Sequence, residues 1–463
     1  MGLFMDTRYD EIVQILATAS KPVCIEAEAG CGKTTTIALA VKRCEGKQLI
    51  LTHTNAGVAA LRAKLRKEDV KESQYRVDTI DGWIYKYVSA FREISGLVQA
   101  FPKDSNGWSA VRDGANTLFE QDFIGDILQS TYTGVFVDEY QDCNLKQHEI
   151  ILKICRYLPV RVLGDPLQAI FDFNEPTVDW NKHVSARYQP LLGLDFPYRW
   201  RQPDANSTLG DSIGKIRRKL EAGESVNLQD YCPEIKWLEW SEQREEQVCL
   251  SADKDYPKEQ VVGIHASRKG EFLDHETAKG LNGKYQCLET MDCFSLRNRA
   301  KYLDGCVKKA DIRCMEWNLK EFLKEGVCCE QSLSQLDALN ELEKNGIYAL
   351  PNLLDFVCQN FAVYRRELFE EMAKTISKYR TGNSETLEGA AWEVRTDTRR
   401  NGRKIGEREK IISRLLLIKG LEFHNAIILN ADRLENARQF YVAITRGSKS
   451  LIVLSKTPIF HWQ

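Results

Sequence analysis

The sequence has 463 residues and a formal net charge of −2. This length predicts two to four domains, and the charge excludes a globally basic nucleic-acid-binding protein, so any contact with nucleic acid must use a local patch. The fourteen cysteines include no Cys-x-x-Cys pair, which disfavours a zinc or iron–sulfur framework and predicts reduced thiols in a cytoplasmic protein. No apolar run reaches the length of a membrane span, so we expect no membrane association.

A phosphate-binding loop is predicted at residues 27–34, which read Ala-Glu-Ala-Gly-Cys-Gly-Lys-Thr between an apolar run and a helix-forming run. Gly30 and Gly32 let backbone N–H groups point at an anion, and the positive end of the following helix faces the same anion. In such a loop Lys33 reaches the β- and γ-phosphates and the Thr34 hydroxyl ligates Mg²⁺. The alternative is a strand-to-helix turn that merely requires glycine.

Three later apolar runs are predicted to be strands that end in polar residues. They lead into residues 52–55 (Thr-His-Thr-Asn), 138–142 (Asp-Glu-Tyr-Gln-Asp) and 164–168 (Gly-Asp-Pro-Leu-Gln). Ligands of open α/β sheets bind at the carboxyl ends of parallel strands, so these residues are expected at one edge. Asp138 and Glu139 fit metal-assisted phosphate hydrolysis, in which Asp138 holds Mg²⁺ and Glu139 polarises water. An acid pair that caps a strand–helix turn is the alternative.

The third strand leads into a glutamine and two phenylalanines. Gln168 is placed to contact a terminal phosphate. Phe171 and Phe173 could stack on bases, each contributing about 1–3 kcal/mol, although two phenylalanines at this spacing are usually core residues.

These motifs, in this order, resemble those of superfamily 1 helicases of the UvrD/Rep/PcrA type. Three later segments extend the resemblance: residues 196–201 (Phe-Pro-Tyr-Arg-Trp-Arg), 419–423 (Lys-Gly-Leu-Glu-Phe) and 440–446 (Phe-Tyr-Val-Ala-Ile-Thr-Arg). The resemblance implies an α/β fold with two RecA-like parallel-sheet domains, a mainly helical insertion in each, and ATP and Mg²⁺ bound between the two domains.

The resemblance also implies roles for the residues at matching positions. Those expected to bind the nucleotide are Gly30, Cys31, Gly32, Lys33, Thr34, Thr35 and Glu422, the last through the ribose. Those expected to ligate Mg²⁺ are Thr34 and Asp138. Those expected to act in catalysis are Glu139, Gln168, Arg199 and Arg446. Those expected to contact single-stranded DNA are His53, Thr54, Asn55, Phe171 and Phe173.

The two arginines carry an independent expectation. Arginine is almost never fully buried unless it is paired, so Arg199 and Arg446 are each predicted to face an anion. A guanidinium that stabilises the transferred phosphoryl group accelerates the reaction by about 10³–10⁵. A surface ion pair is the alternative for each.

The expected domain boundaries follow from these motifs. The first RecA-like domain covers about 1–195, with a small insertion at about 84–133 and a loop near 102–107. The second covers about 196–275 and 386–463, with strands at 260–265, 426–429 and 451–454. A helical insertion covers 276–385, with helical patterns at 333–342 and 361–378.

The expected activity is DNA-stimulated ATP hydrolysis that drives 3′→5′ movement on single-stranded or partly duplex DNA. The insertions are smaller than in full-length helicases of the family, and Arg414 could substitute for a missing histidine. The alternative is a partner-dependent ATPase subunit with little unwinding of its own, which works with a nuclease or ATPase partner as in Gabija-type anti-phage defence. A cation-rich run at 395–410 is either a hairpin laid on nucleic acid or a solvated loop.

Overall fold

The computed structural model describes residues 7–97, 105–171, 175–266, 271–290, 293–309, 311–329, 346–382, 384–401, 406 and 409–462. The chain forms two compact units, Met1–Pro203 and Asp204–Gln463, and each contains a parallel sheet of six strands. Among the described residues, no helix combines the length and the apolar composition that crossing a membrane requires.

The first unit orders its sheet β3-β2-β4-β5-β1-β6, and every neighbouring pair is parallel. Its strands are β1 (Val23–Glu26), β2 (Gln48–Thr52), β3 (Tyr75–Thr79), β4 (Gly134–Val137), β5 (Val160–Gly164) and β6 (Gln189–Pro190). Its helices are α1 (Thr7–Thr18), α2 (Lys33–Arg43), α3 (Asn55–Lys67), α4 (Ile80–Ala90), α5 (Arg92–Ser95), α6 (Ser105–Leu118), α7 (Asp122–Thr131) and α8 (Leu145–Ile154). Strands β2, β4 and β5 are buried along their whole length, as apolar strands of a parallel sheet with both faces covered are.

The second unit orders its sheet β10-β11-β9-β12-β13-β8, again with parallel pairs only. Its strands are β7 (Val226–Asn227), β8 (Ile235–Glu239), β9 (Val261–His265), β10 (Gln286–Cys287), β11 (Lys410–Arg414), β12 (Phe423–Leu429), β13 (Gly447–Ser455) and β14 (Ile459–Phe460). Strands β7 and β14 form a separate antiparallel pair. The helices are α9 (Ser207–Glu221), α10 (Glu242–Asp255), α11 (Leu273–Gly280), α12 (Phe294–Lys308), α13 (Ile312–Gly326), α14 (Leu350–Asn360), α15 (Arg366–Arg380), α16 (Leu387–Asn401) and α17 (Ala437–Ile444).

Helices α12 to α16 form the insertion and share one apolar core. Leu303, Phe322, Phe369 and Met372 are among its fully buried members. An amphipathic helix gains most of its stability from packing such a face, so these helices stabilise one another.

Buried ion pairs connect this insertion to the residues that follow β10. The Arg365 guanidinium donates two hydrogen bonds to the Glu289 carboxylate, at 2.6 and 2.8 Å. Burial opposes ionisation of Glu289, but the hydrogen bonds and charge of Arg365 outweigh it and hold the pKa of that carboxyl below its ordinary value. A paired and doubly hydrogen-bonded charge is the form in which a buried carboxylate is tolerated.

The predicted fold class and the predicted strands of both sheets are confirmed. The compact units divide after Pro203, whereas the sequence indicated a boundary at about 195. The reason is that the turn at Tyr198–Arg201 packs on the glycine loop of the first unit. Strand β10 pairs with β11, so the second sheet extends into the segment 276–385 that we expected to be insertion alone.

Three local predictions differ from the structure. Helix α6 begins at Ser105, inside the predicted loop at 102–107, and α15 begins at Arg366 instead of residue 361. The cation-rich run at 395–410 begins inside helix α16, where Arg395 is buried and paired with Glu371. The helical pattern at 333–342 lies outside the described residues.

Arg161 on β5 anchors helix α1 to the sheet. Its side chain is only 3% exposed, and it donates hydrogen bonds to the carbonyl oxygens of Leu16 at 2.8 Å and Ala19 at 2.9 Å. A cation at this position also faces the negative end of the helix dipole. Burial lowers the pKa of Arg161, and the carbonyl oxygens solvate the charge in place of water.

We expect Arg161→Met to lower the free energy of unfolding by about 2–4 kcal/mol, because it leaves buried carbonyl groups unsatisfied. Thermal and urea melts of the purified protein measure this loss. Arg156→Met is the matched control, because Arg156 forms an exposed ion pair with Glu120 and such pairs contribute about 0–1 kcal/mol. Equal losses in the two variants would contradict the anchoring role of Arg161.

Candidate active site

The loop between β1 and α2 has the backbone that a phosphate site needs. Gly30 (φ +72°) and Gly32 (φ +83°) both lie in the left-handed region that favours glycine. A Cβ atom at Gly30 would lie 2.8 Å from the Trp200 ring and 2.9 Å from the Arg199 Cβ. Both the backbone angle and the close approach of the 198–201 turn therefore require glycine at position 30.

Lys33 is the first residue of α2 and is 8% exposed. Its Nζ atom donates a hydrogen bond to the Ala27 carbonyl at 3.0 Å. Burial would lower the pKa of Lys33, but the charges of Glu139, Asp165 and Asp138 together raise it. The lysine therefore stays cationic beside three carboxylates.

Thr34 and Thr35 follow Lys33 in the first turn of α2, and both are half-buried. The next residue, Thr36, faces inward, where its hydroxyl donates to the Gly32 carbonyl at 3.0 Å and lies 3.0 Å from the Tyr9 hydroxyl. The Thr36 side chain thereby ties the start of α2 to the Gly32 backbone and to Tyr9 of α1.

Asp138 and Glu139 follow strand β4 directly. Asp138 is 5% exposed, and its backbone N–H donates to the Leu51 carbonyl of β2 at 2.8 Å. Burial and the neighbouring Glu139 charge raise the pKa of Asp138 to about 7, against the opposing charge of Lys33. The three carboxylates near Lys33 carry more negative charge than this one lysine can balance. Such a surplus suits a divalent cation with oxygen ligands, such as Mg²⁺.

Glu139 adopts a left-handed backbone with φ 55° and ψ 40°. A residue with a side chain adopts this conformation at an energetic cost, and such residues cluster at functional sites. The Glu139 backbone N–H donates to Asp138 Oδ1 at 3.0 Å. This bond holds the Asp138 carboxylate against the backbone of the turn.

A polar network joins the ends of β4 and β5. Asp165 is fully buried and accepts hydrogen bonds from Gln168 Nε2 at 2.7 Å and from the Leu167 backbone N–H at 3.2 Å. Its own backbone N–H donates to Gln141 Oε1 at 2.9 Å, and the Gln141 amide donates to Glu139. Sequence reasoning missed Gln141 and Asp165, although buried polar residues at the ends of two predicted strands are a signal that could have found them.

Residues 193–198 line a pocket next to the glycine loop. The Arg199 backbone N–H donates to the Gly30 carbonyl at 3.0 Å, and its guanidinium lies 5.2 Å from the Trp200 ring centroid. Beside it lies a pocket of about 340 Å³, whose walls include Tyr9, Cys31 and Tyr198. Apolar and aromatic walls next to a phosphate loop suit a flat heterocyclic base.

The residues expected to contact DNA separate into two groups. Thr54 caps helix α3, where its hydroxyl accepts a hydrogen bond from the Gly57 backbone N–H at 3.0 Å, and Asn55 begins that helix. His53 and Phe171 line one pocket of about 430 Å³. Phe173 lies outside the described residues.

The second unit holds Glu422 and Arg446. Glu422 is exposed just before β12. Arg446 is 1% exposed, and its guanidinium donates to the Leu421 and Val442 carbonyls and to the Thr445 hydroxyl, each at 2.8 Å. Three neutral acceptors therefore bind this arginine within the second unit, and its expected contact with an anion stays a prediction.

Arg414, considered above as a substitute for a missing histidine, is held within the second unit. Its Nε atom donates to Asp274 Oδ2 at 3.0 Å, and its guanidinium also donates to the Glu271 carbonyl at 3.0 Å. Its guanidinium carbon lies 5.6 Å from the centroid of the exposed Phe272 ring. These contacts fix the direction of the arginine side chain.

The solved structures that this chain resembles include two helicases, both at low similarity. The arterivirus nonstructural protein 10 (helicase) with DNA has 11% identity and a TM-score of 0.37, covering 96% of this chain and 63% of that chain. The Pif1 helicase from Bacteroides in complex with ADP-AlF3 and ssDNA has 13% identity and a TM-score of 0.28. This match covers 54% of this chain and 57% of that chain. This chain thus spans less than two thirds of either protein, and these similarities are too weak to support a functional conclusion. Comparison with curated proteins found no match.

We expect Gly30→Ala to weaken nucleotide binding at least about tenfold, or 1.4 kcal/mol, because the new methyl group displaces Trp200 and Arg199. Gly96→Ala is the matched control. Gly96 has φ +67°, and within the described part of the chain no neighbouring atom lies within 4 Å of where its methyl group would be, so it shares the backbone strain without the clash. Titration with a fluorescent ATP analogue measures both. Similar affinities in the two variants would show that the close approach has no role.

The family model of the UvrD/REP helicase N-terminal domain matches residues 115–189, which is less than half of the chain. The matched segment contains strands β4 and β5 and, at their ends, Asp138, Glu139 and Gln168. The glycine loop precedes this segment in the chain and joins it at the same edge of the sheet, because β1 pairs with β5 in parallel. The predicted resemblance is confirmed over residues 115–189, where this chain is similar to the N-terminal domain of UvrD/REP helicases.

Proposed function

We propose that the chain is an ATP-dependent DNA translocase and helicase, in which DNA-stimulated ATP hydrolysis drives 3′→5′ movement on single-stranded or partly duplex DNA. The observation that supports this most strongly is the position of Lys33, buried in a glycine loop among the charges of Glu139, Asp165 and Asp138. A cation and a surplus of acids at the edge of a parallel sheet suit a nucleoside triphosphate bound with Mg²⁺. The direction of movement rests on the family resemblance.

Binding of ATP begins at the loop. Lys33 exchanges its hydrogen bond with the Ala27 carbonyl for bonds with the β- and γ-phosphates. The amides of Gly30 and Gly32 also bind the phosphates, and the Cys31 amide joins them by leaving the Glu28 carbonyl, to which it donates at 3.3 Å. The adenine enters the pocket beside Tyr9 and Tyr198. Thr35 and Glu422 complete the proposed nucleotide contacts, the latter at the ribose.

The residues that would hold Mg²⁺ are Thr34, through its hydroxyl, and Asp138, through its carboxylate. The bound ion would supply positive charge that neutralises the phosphate oxygens. The raised pKa of Asp138 reflects burial and the Glu139 charge, and a neighbouring cation favours the ionised form of this carboxyl.

Hydrolysis requires a water molecule directed at the γ-phosphorus. Glu139 accepts a proton from that water, and Gln141 holds the Glu139 carboxylate by a hydrogen bond. Gln168 senses the γ-phosphate, and the fully buried Asp165 fixes its amide. Arg199 and Arg446 stabilise the charge that develops on the transferred phosphoryl group.

DNA contacts are proposed for residues that follow β2 and β5. His53 and Phe171 line a common pocket, and an aromatic ring with a histidine beside it suits an unstacked base. Thr54 and Asn55 lie at the positive end of helix α3, where a backbone phosphate is favourably bound. Phe173 completes this proposed set.

We expect Glu139→Gln to lower the rate of DNA-stimulated ATP hydrolysis by about 10²–10⁴, because the variant loses the general base. ATP binding remains, because the phosphate loop is intact. Steady-state phosphate release with and without single-stranded DNA measures the rate. Glu45→Gln is the matched control, since Glu45 is exposed between α2 and β2. Hydrolysis by Glu139→Gln at the wild-type rate would remove Glu139 from the mechanism.

The same assay distinguishes a DNA translocase from the alternative, a partner-dependent ATPase subunit. Strong stimulation by DNA, followed by strand displacement from a 3′-tailed duplex, supports the translocase. A rate of ATP hydrolysis that DNA alone does not change, and that increases only with a co-purifying nuclease or ATPase, would favour a subunit of a DNA-sensing anti-phage complex.

We expect Phe171→Ala to weaken binding of single-stranded DNA by about 1–3 kcal/mol, through loss of base stacking. Fluorescence anisotropy with a labelled oligothymidine measures the affinity. Phe356→Ala serves as the control, because Phe356 is 46% exposed on α14 in the other unit. An unchanged affinity in Phe171→Ala would place the DNA elsewhere.

A further inference from the structure

The sulfur atoms of two cysteines in the insertion lie closer together than sulfur atoms in ordinary van der Waals contact. Cys306 lies near the end of α12 and Cys314 in the first turn of α13, and their sulfur atoms are 2.7 Å apart. A disulfide bond is about 2.05 Å long, so side-chain movement of less than about 1 Å would bring the two sulfurs to bonding distance. Neither cysteine is bonded to another in this structure.

The surroundings hold both sulfurs in place. The Asp311 carboxylate caps helix α13 by accepting the Cys314 backbone N–H at 3.0 Å. The Asn318 amide approaches both sulfurs, at 3.4 Å from Cys306 and 3.5 Å from Cys314. Helices α12 and α13 pack against each other in the insertion core, so the pair is fixed by the fold of this hairpin.

The two thiols differ in accessibility. Cys306 is 1% exposed, and burial together with the neighbouring Cys314 thiol raises its pKa to about 11. Cys314 is half-buried, so an oxidant in solution reaches it first. This is the arrangement of an accessible thiol with a resolving partner behind it.

We propose that Cys306 and Cys314 are a modification site at which a peroxide forms an intramolecular disulfide. The Cys314 thiolate attacks a peroxide oxygen, which breaks the O–O bond, gives a sulfenic acid and releases the first water after protonation. The Cys306 sulfur then attacks the Cys314 sulfur, forms the S–S bond and expels the second water. Two thiols lose two electrons and two protons in total, and hydrogen peroxide is reduced to two waters.

The bond would covalently close the turn between α12 and α13. Cross-linking residues this close in the chain stabilises mainly by restricting the unfolded state. The closed hairpin would also fix the start of α13, which carries the exposed Trp317. In a reducing cytoplasm a disulfide of this kind is transient and responds to oxidation.

The test treats the reduced full-length protein with stoichiometric hydrogen peroxide, blocks remaining thiols with iodoacetamide and maps the non-reduced peptides by mass spectrometry. The expected product is a Cys306–Cys314 cross-linked peptide that lacks two hydrogens and is restored by dithiothreitol. Cys232 is exposed and provides an internal control for the oxidation of a thiol outside the pair. Recovery of Cys306 and Cys314 as separate alkylated residues, while Cys232 has been oxidised, would overturn the proposal.

A second measurement does not depend on peptide recovery. The oxidised wild-type protein should melt a few degrees above the reduced protein, on the order of the shift expected for a closed short loop. Cys314→Ser should show no such difference, and Cys306→Ser should leave Cys314 as a sulfenic acid that dimedone captures. Equal melting temperatures for oxidised and reduced wild type, with both thiols still titratable, would also reject the disulfide.

Discussion

The positive charge of Lys33 among three carboxylates is the interaction on which the candidate site depends. Parallel pairing of β1 with β5, and of β5 with β4, brings the ends of all three strands to one edge. The lysine thereby compensates acids that lie far apart in the sequence. Without it, the buried Asp138 carboxylate would face the Glu139 charge with no opposing charge from Lys33, and a folded chain tolerates an uncompensated buried carboxylate only in its protonated form.

The features predicted correctly from the sequence are those with local signals. The glycine loop, the acid pair at Asp138 and the apolar strands each lie within a few consecutive residues, so the pattern and the structure depend on the same neighbours. The capping role of Thr54 was also readable, since threonine before a helix-forming run is a standard N-cap.

The features that could not be predicted depend on contacts between distant segments. Strand β10 has two residues and no alternating pattern of its own, and only its pairing with β11 makes it part of the sheet. The burial of Arg446 required knowledge of which carbonyls surround it. The pairing of Glu289 with Arg365 likewise joins residues far apart in the chain, and single-sequence patterns carry no information on such partners.

The left-handed backbone of Glu139 sets stability against activity at a single position. Glycine adopts this conformation without strain, so replacing Glu139 by glycine would relieve an energetic cost of order 1–3 kcal/mol. The same change would remove the carboxylate assigned to water activation. A search for more stable variants that screened folding alone would therefore favour replacing the residue proposed as the general base, and thermostabilised forms of this protein need an activity screen at that site.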